Sequence, residues 1–113
     1  MSGPFQEIAG LDKLLHEPAR LAVVSALSAC EAADFVFLQR ITGLSKGNLS
    51  THLSRLEAGG IVEIRKEFVG KIPRTVVSLT SGGRQGIADY WERLERLKSE
   101  AANWAPEPVV SPV

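Results

Sequence analysis

The chain contains one cysteine, Cys30, so an internal disulfide is excluded and a reducing compartment is the expected setting. It also lacks net charge. Thirteen basic side chains balance thirteen acidic ones, a poor first sign for anything that binds a polyanion. No apolar run approaches the ~20 residues that cross a membrane, and no signal-peptide pattern opens the chain, so no membrane partner and a cytoplasmic location are expected. Soft metal ligands are limited to Cys30, His16 and His52. Sensor sites recruit several cysteines or histidines, so no metal is expected and Cys30 reads as a small apolar residue. A glycine-rich phosphate loop behind a strand, paired catalytic carboxylates and a serine–histidine–acid set are all missing. Gly82 and Gly83 alone are too little for a nucleotide site, so neither an enzyme nor a cofactor is expected.

What is present suits a single soluble domain with one modest core: 113 residues, 44% hydrophobic and 23% charged. The balanced charge is unevenly placed. Residues 1–37 carry two basic and five acidic groups, and residues 76–113 carry four and five. Residues 38–75 carry seven basic groups (Arg40, Lys46, Arg55, Arg65, Lys66, Lys71, Arg74) against three acidic. The middle third is the basic one.

Within it, S-K-G-N-L-S-T-H-L-S-R-L-E-A-G-G (Ser45 to Gly60) predicts a capped helix. Ser45 suits the N-cap, and Gly59 and Gly60 supply the left-handed residue that commonly ends a helix. Leu49, Leu53 and Leu56 form a narrow apolar stripe. The opposite face carries Gly47, Asn48, Ser50, Thr51, Ser54 and Arg55, where an ordinary solvated helix would show glutamate and lysine. Short hydrogen-bonding groups plus one arginine are what a face that meets DNA requires.

The flanking patterns predict a frame around this helix. Phe5, Ile8, Leu11, Leu14 and Leu15 indicate a helix over 6–15, and Pro18 opens a second over roughly 18–29 with Leu21, Val24 and Leu27 inward. Asp34 can cap a helix to about Thr42 with Phe35, Leu38 and Ile41 inward, although a short strand at Ala33 to Phe35 is an open alternative. Gly43 and Leu44 turn into the capped helix, giving a helix-turn-helix over 34–59. Residues 61–68 predict a strand with Val62, Ile64 and Phe68 on one face. Val69 to Pro73 form a hairpin tip, and 75–79 a returning strand with Val77 and Leu79 inward. Thr80 caps a last helix over 81–104, in which Ile87, Tyr90, Leu94, Leu97, Ala101 and Trp104 form a heptad seam. Three prolines make 105–113 a disordered tail.

With these elements in order, L-x-R-I-T-G-L-S-K-G-N-L-S-T-H-L-S-R-L-E-A-G-G-I-V (Leu38 to Val62), K-E-F-V-G-K-I-P-R-T (Lys66 to Thr75) and L-T-S-G-G-R (Leu79 to Arg84) resemble winged helix-turn-helix transcription regulators of the MarR/ArsR type. The likeness spans roughly residues 11–97 and is nearest to a short single-domain prokaryotic group. It implies a mainly α fold with a small β-hairpin: a three-helix core plus wing, flanked by N- and C-terminal dimerisation helices. It also implies a homodimer, a reading helix in the major groove and a wing beside the phosphates. For His52, which flanks the apolar stripe, the resemblance implies a phosphate contact. The metal-sensing branch would carry paired cysteines before the turn, and Asp34 to Ile41 has none.

The expected DNA contacts are Ser45, Lys46, Gly47, Asn48, Ser50, Thr51, His52, Ser54 and Arg55, with Lys66, Lys71, Arg74 and Thr75 from the wing meeting the phosphate backbone or the minor groove. Arg55 suits guanine, Asn48 adenine and Lys46 phosphate. The expected dimer contacts are Phe5, Ile8, Leu11, Ile87, Tyr90, Trp91, Leu94, Leu97, Ala101 and Trp104. The partners are then a pseudo-palindromic duplex and a second copy of the chain, with a repressor-like role. Two alternatives differ in their marks: an interaction module should show an apolar outward face, and a ligand sensor at the dimer seam leaves no mark in the sequence.

Overall fold

Prolines begin two of the helices. The structure, a computed structural model, describes residues 3–105 and 110. Helices α1 (Pro4–Ala9) and α2 (Pro18–Ser28) each carry proline in the first turn, where its missing N–H leaves nothing unpaired. Before α2, the Glu17 carboxylate accepts from the amides of Ala19 and Arg20 at 3.1 and 2.8 Å. The helix expected over 6–15 needs correction, because α1 starts at Pro4 and closes at Ala9. Asp12 Oδ1 takes the Leu14 amide at 2.9 Å, a local bond that competes with continued helix. Leu11 and Leu15 still reach the core, from a turn instead of a helix.

Strand β1 (Ala33–Asp34) and helix α3 (Phe35–Thr42) settle the alternative left open at 33–35, since both occur. Ala33 and Asp34 pair with Val77 and Val76, and Asp34 Oδ1 then caps α3 by accepting from the Phe37 amide at 2.7 Å. Leu38 is buried, but Ile41, expected inward, is exposed. The helix stops at Gly43, and Leu44 beyond the turn packs against the core instead.

Helix α4 (Lys46–Ala58) is capped by Ser45, whose Oγ accepts from the Asn48 amide at 3.2 Å. Gly60 is the left-handed residue after it, at φ 76°, a conformation costly for any residue with a Cβ. Leu49, Leu53 and Leu56 are all buried. Each contributes about 1.5–3 kcal/mol relative to exposure, which is what seats the helix.

Strands β2 (Val62–Val69) and β3 (Ile72–Leu79) form an antiparallel hairpin, and the sheet order is β1-β3-β2. Both strands run closer to the tip than expected, leaving only Gly70 and Lys71 in the turn. Val62, Val77 and Leu79 are buried and Ile64 is half-buried, but Phe68 is exposed. The hairpin outruns the body of the protein, so the core meets only its base.

Helix α5 (Ser81–Ala102) begins under Thr80, whose Oγ1 accepts from the Gly83 amide at 2.9 Å and donates to the Gly60 carbonyl at 2.6 Å. Gly83 stands against the Ile61 backbone, and a Cβ there would collide with the Ile61 carbonyl. Its place in a weak first turn is a packing requirement. Further along α5, Ile87, Tyr90 and Leu97 are buried in the chain's own core. The tail expected over 105–113 lies mostly outside the described residues.

Candidate nucleic-acid interface

The three buried leucines of α4 leave Asn48, Thr51 and Arg55 on one outward ridge, at spacings of three and four. Ser45, Lys46, Gly47, Ser50 and Ser54 are exposed as well. Gly47 has open space around it, so its backbone is accessible at the positive end of the helix. Thr51 Oγ1 donates to the Gly47 carbonyl at 3.0 Å. Its proton is spent there, so toward a ligand Thr51 offers only acceptor lone pairs and a methyl group.

The wing stands beside this helix. Lys46, Ser50 and Ser54 from α4 line an open groove of about 870 Å³ together with Lys66, Arg74 and Thr75 from the hairpin. Six of the expected contact residues therefore share one concave surface, and Lys71 sits at the turn beyond it. The wing cations are not equally free. Arg65 and Arg74 both reach Glu67, at 3.4 and 3.5 Å. Lys66 and Lys71 meet no carboxylate among the described residues. Three of the seven basic groups of residues 38–75, Lys46, Lys66 and Arg74, thus line one groove, so zero net charge does not exclude a polyanion there.

His52 faces elsewhere. Its ring is half-buried, with Nδ1 3.2 Å from an Nη of Arg20 and 3.8 Å from Glu17 Oε2. Arg20 is buried: its Nε donates to the Leu14 carbonyl at 2.7 Å and its other Nη to the Lys13 carbonyl at 3.2 Å. Burial pushes the Glu17 carboxyl up, but the Arg20 and Ala19 amides, the charge of Arg20 and that of His52 when it is protonated outweigh it, and the net shift is downward. Sequence reasoning missed Arg20 and Glu17, counting them only as charges in an acidic segment. The available signal was an acid at the N-cap before proline with a base three residues on.

The expected dimer contacts divide. Leu11, Ile87, Tyr90 and Leu97 are core residues of the single chain, which corrects that part of the seam. Tyr90 is further tied down by a 2.6 Å hydrogen bond to His16 Nδ1, and burial raises its hydroxyl above the usual value of 10.0. Phe5, Trp91 and Trp104 stay exposed, with Ile8, Leu94 and Ala101 half-buried between them. Phe5 and Trp104 meet edge to face at 5.2 Å, holding the end of α5 against α1.

No helix among the described residues is long and apolar enough to cross a membrane. Residues 19–97 match the winged helix DNA-binding domain family. An uncharacterized protein of Methanocaldococcus jannaschii is 30% identical over 88 residues, covering 77% of this chain and 96% of that one. The HTH-type transcriptional regulator YgaV of Escherichia coli is 32% identical over 62 residues, 55% of this chain and 63% of its own length. The structure of a transcriptional regulator homologue from Pyrococcus horikoshii superposes with a TM-score of 0.79 at 28% identity, over 89% of this chain and 98% of that one. The chain belongs to the winged helix DNA-binding domain family and is a DNA-binding transcriptional regulator.

Proposed function

We propose that the chain acts as a homodimeric, repressor-like regulator in the cytoplasm that lays α4 into the major groove of a pseudo-palindromic operator. The observation that carries this is the outward ridge of Asn48, Thr51 and Arg55, free among the described residues of competing side-chain partners except the backbone bond of Thr51. Asn48 and Arg55 have the donor geometry for adenine and guanine edges, and Thr51 accepts from an exocyclic amine. Lys46 and the α4 N-terminus take phosphates on one side, and Lys66, Lys71, Arg74 and Thr75 take them on the wing side. Phe5, Trp91 and Trp104, with Ile8, Leu94 and Ala101, supply the dimer face. That arrangement sets two reading helices about 34–36 Å apart along one side of the duplex. An interaction module would present an apolar outward face on α4, and this face is polar.

Genomic fragments retained by the protein, sequenced and then used in gel shifts, test the proposal. A palindromic site is expected. Thr51→Ala with Arg55→Ala should abolish the shift while leaving the melting temperature unchanged, and an unchanged shift would move the contact off this ridge. Affinity should also fall steeply with salt, by roughly a thousandfold between 50 and 200 mM if about six phosphates are met.

A further inference from the structure

The wing tip has a composition that phosphate contact does not use. Phe68 and Ile72 are each 71% exposed and Val69 is 53% exposed, where hairpin turns ordinarily gather polar residues. In the strand register Phe68 stands opposite Pro73, and Val69 opposite Ile72. Residues opposite one another share a face of the ribbon, and successive pairs alternate faces. One face of the tip therefore holds Phe68 and Pro73, and the other Val69 and Ile72. The tip is apolar on both sides.

A single apolar face would suit a flat protein partner. Two faces, back to back on a two-stranded ribbon, suit a slot with apolar walls on both sides. The surrounding charge selects the slot: Arg65, Lys66, Lys71 and Arg74 ring the tip, and Glu67, the acid among the described residues of the tip, is already held between the two arginines. The occupant is thus a slot with anionic rims. The minor groove of DNA fits once it is opened beyond its undeformed width of about 6 Å, with sugars forming its walls and phosphates its edges. It is also continuous with the proposed contact surface, since Val69, Ile72 and Pro73 line the same groove as Lys46 and Ser50 of α4.

We propose that the wing tip is a minor-groove wedge. Phe68 and Ile72 press into the groove and open a base step, while Lys71 and Lys66 hold the phosphates on its rims. The duplex then bends toward the major groove, and so toward α4, as apolar side chains inserted from the minor-groove side cause. This rests on the DNA-binding proposal above and adds a deformation that base and phosphate contacts alone do not require. Flexible pyrimidine–purine steps beneath the wing would be preferred, giving selectivity at positions that no polar side chain reads.

The test uses the full chain and a duplex selected by the wild-type protein from a randomised pool, carrying a donor and an acceptor dye at its ends. Energy transfer should rise when the wild-type protein binds. With Phe68→Ser and Ile72→Ser together, the rise should be lost and affinity should fall by roughly tenfold or more. The slope of affinity against salt should stay the same, because every cation remains. Both substituted residues are exposed, and a thermal melt verifies that the variant is folded. An unbent wild-type complex, or an equal bend with the variant, would overturn the wedge while leaving DNA binding intact. A bend unchanged by the variant, together with loss of self-association of the free protein, would overturn it in favour of contact with a second copy. A wild-type protein that selects no duplex would sink the DNA-binding proposal itself, and the wedge with it.

Discussion

One Nη of Arg20 donates to Nδ1 of His52 across 3.2 Å, joining α2 to the inner flank of α4. Arginine has no acceptor, so Nδ1 must supply the lone pair and Nε2 carries the hydrogen in the neutral ring. The same guanidinium ties down the carbonyls of Lys13 and Leu14. One buried cation therefore holds both the reading helix and the turn that follows α1.

Replacing Arg20 by methionine keeps much of the volume and removes all of these bonds. Stability should fall by about 2–3 kcal/mol, because two carbonyls and a ring nitrogen lose a charged donor in a half-buried site. A shift in the urea midpoint measures this. In ¹⁵N-labelled protein the His52 ring should show the Nε2–H tautomer before the change and a mixture after it. A wild-type Nδ1–H tautomer would contradict the hydrogen bond.

Glu17 makes the same junction sensitive to acid. Its carboxyl titrates below the ordinary 4.5 in the folded chain, so the folded state holds its proton less tightly than the unfolded one. The resulting stability is fully present above the ordinary value and is lost as pH falls from there through the lower folded value. Glu17→Gln should cost stability near neutral pH, and the gap from wild type should narrow below about pH 4. Denaturation midpoints at several pH values are the measurement, and a constant gap would count against this role.

Glu67 holds back two wing cations, since it pairs with both Arg65 and Arg74. Each pair is exposed and adds little to folding. Glu67→Gln should leave the melting temperature nearly unchanged, strengthen DNA binding several-fold, and steepen its salt dependence as the freed arginines meet phosphates. Fluorescence anisotropy titrations at two salt concentrations would reveal it. Weaker binding would mean that Glu67 aligns the arginines instead of competing for them.

For the dimer, the choice of residues matters. Leu97 lies in the core of the single chain, so a lysine there would unfold the protein and say nothing about association. Trp91 and Trp104 are 43% and 48% exposed. Trp91→Glu with Trp104→Glu should yield folded monomers by light scattering and weaken operator binding, and an intact dimer would place the interface elsewhere.

Much of the fold was legible because its signals are local. Ser45, Asp34 and Thr80 cap helices as their side chains predict, since each needs only an amide three residues away or fewer. The leucines of α4 announced its inner face, and by exclusion its outer one. Local signals failed where reach decides the outcome. Ile41 and Phe68 fit inward patterns but are exposed, because α3 ends and the hairpin outruns the core before either meets another element.

By itself the sequence determined the order of elements, the caps, the polar ridge of Asn48, Thr51 and Arg55, and the gathering of basic residues into the middle third. All of these depend on neighbours within a few positions. Only the tertiary structure decided that the heptad of α5 is mostly spent on the chain's own core, that Arg20 reaches His52, and that Gly83 leaves room for Ile61. Those facts join residues far apart in the chain, and spacing along a sequence says nothing about which distant surface arrives to cover a side chain.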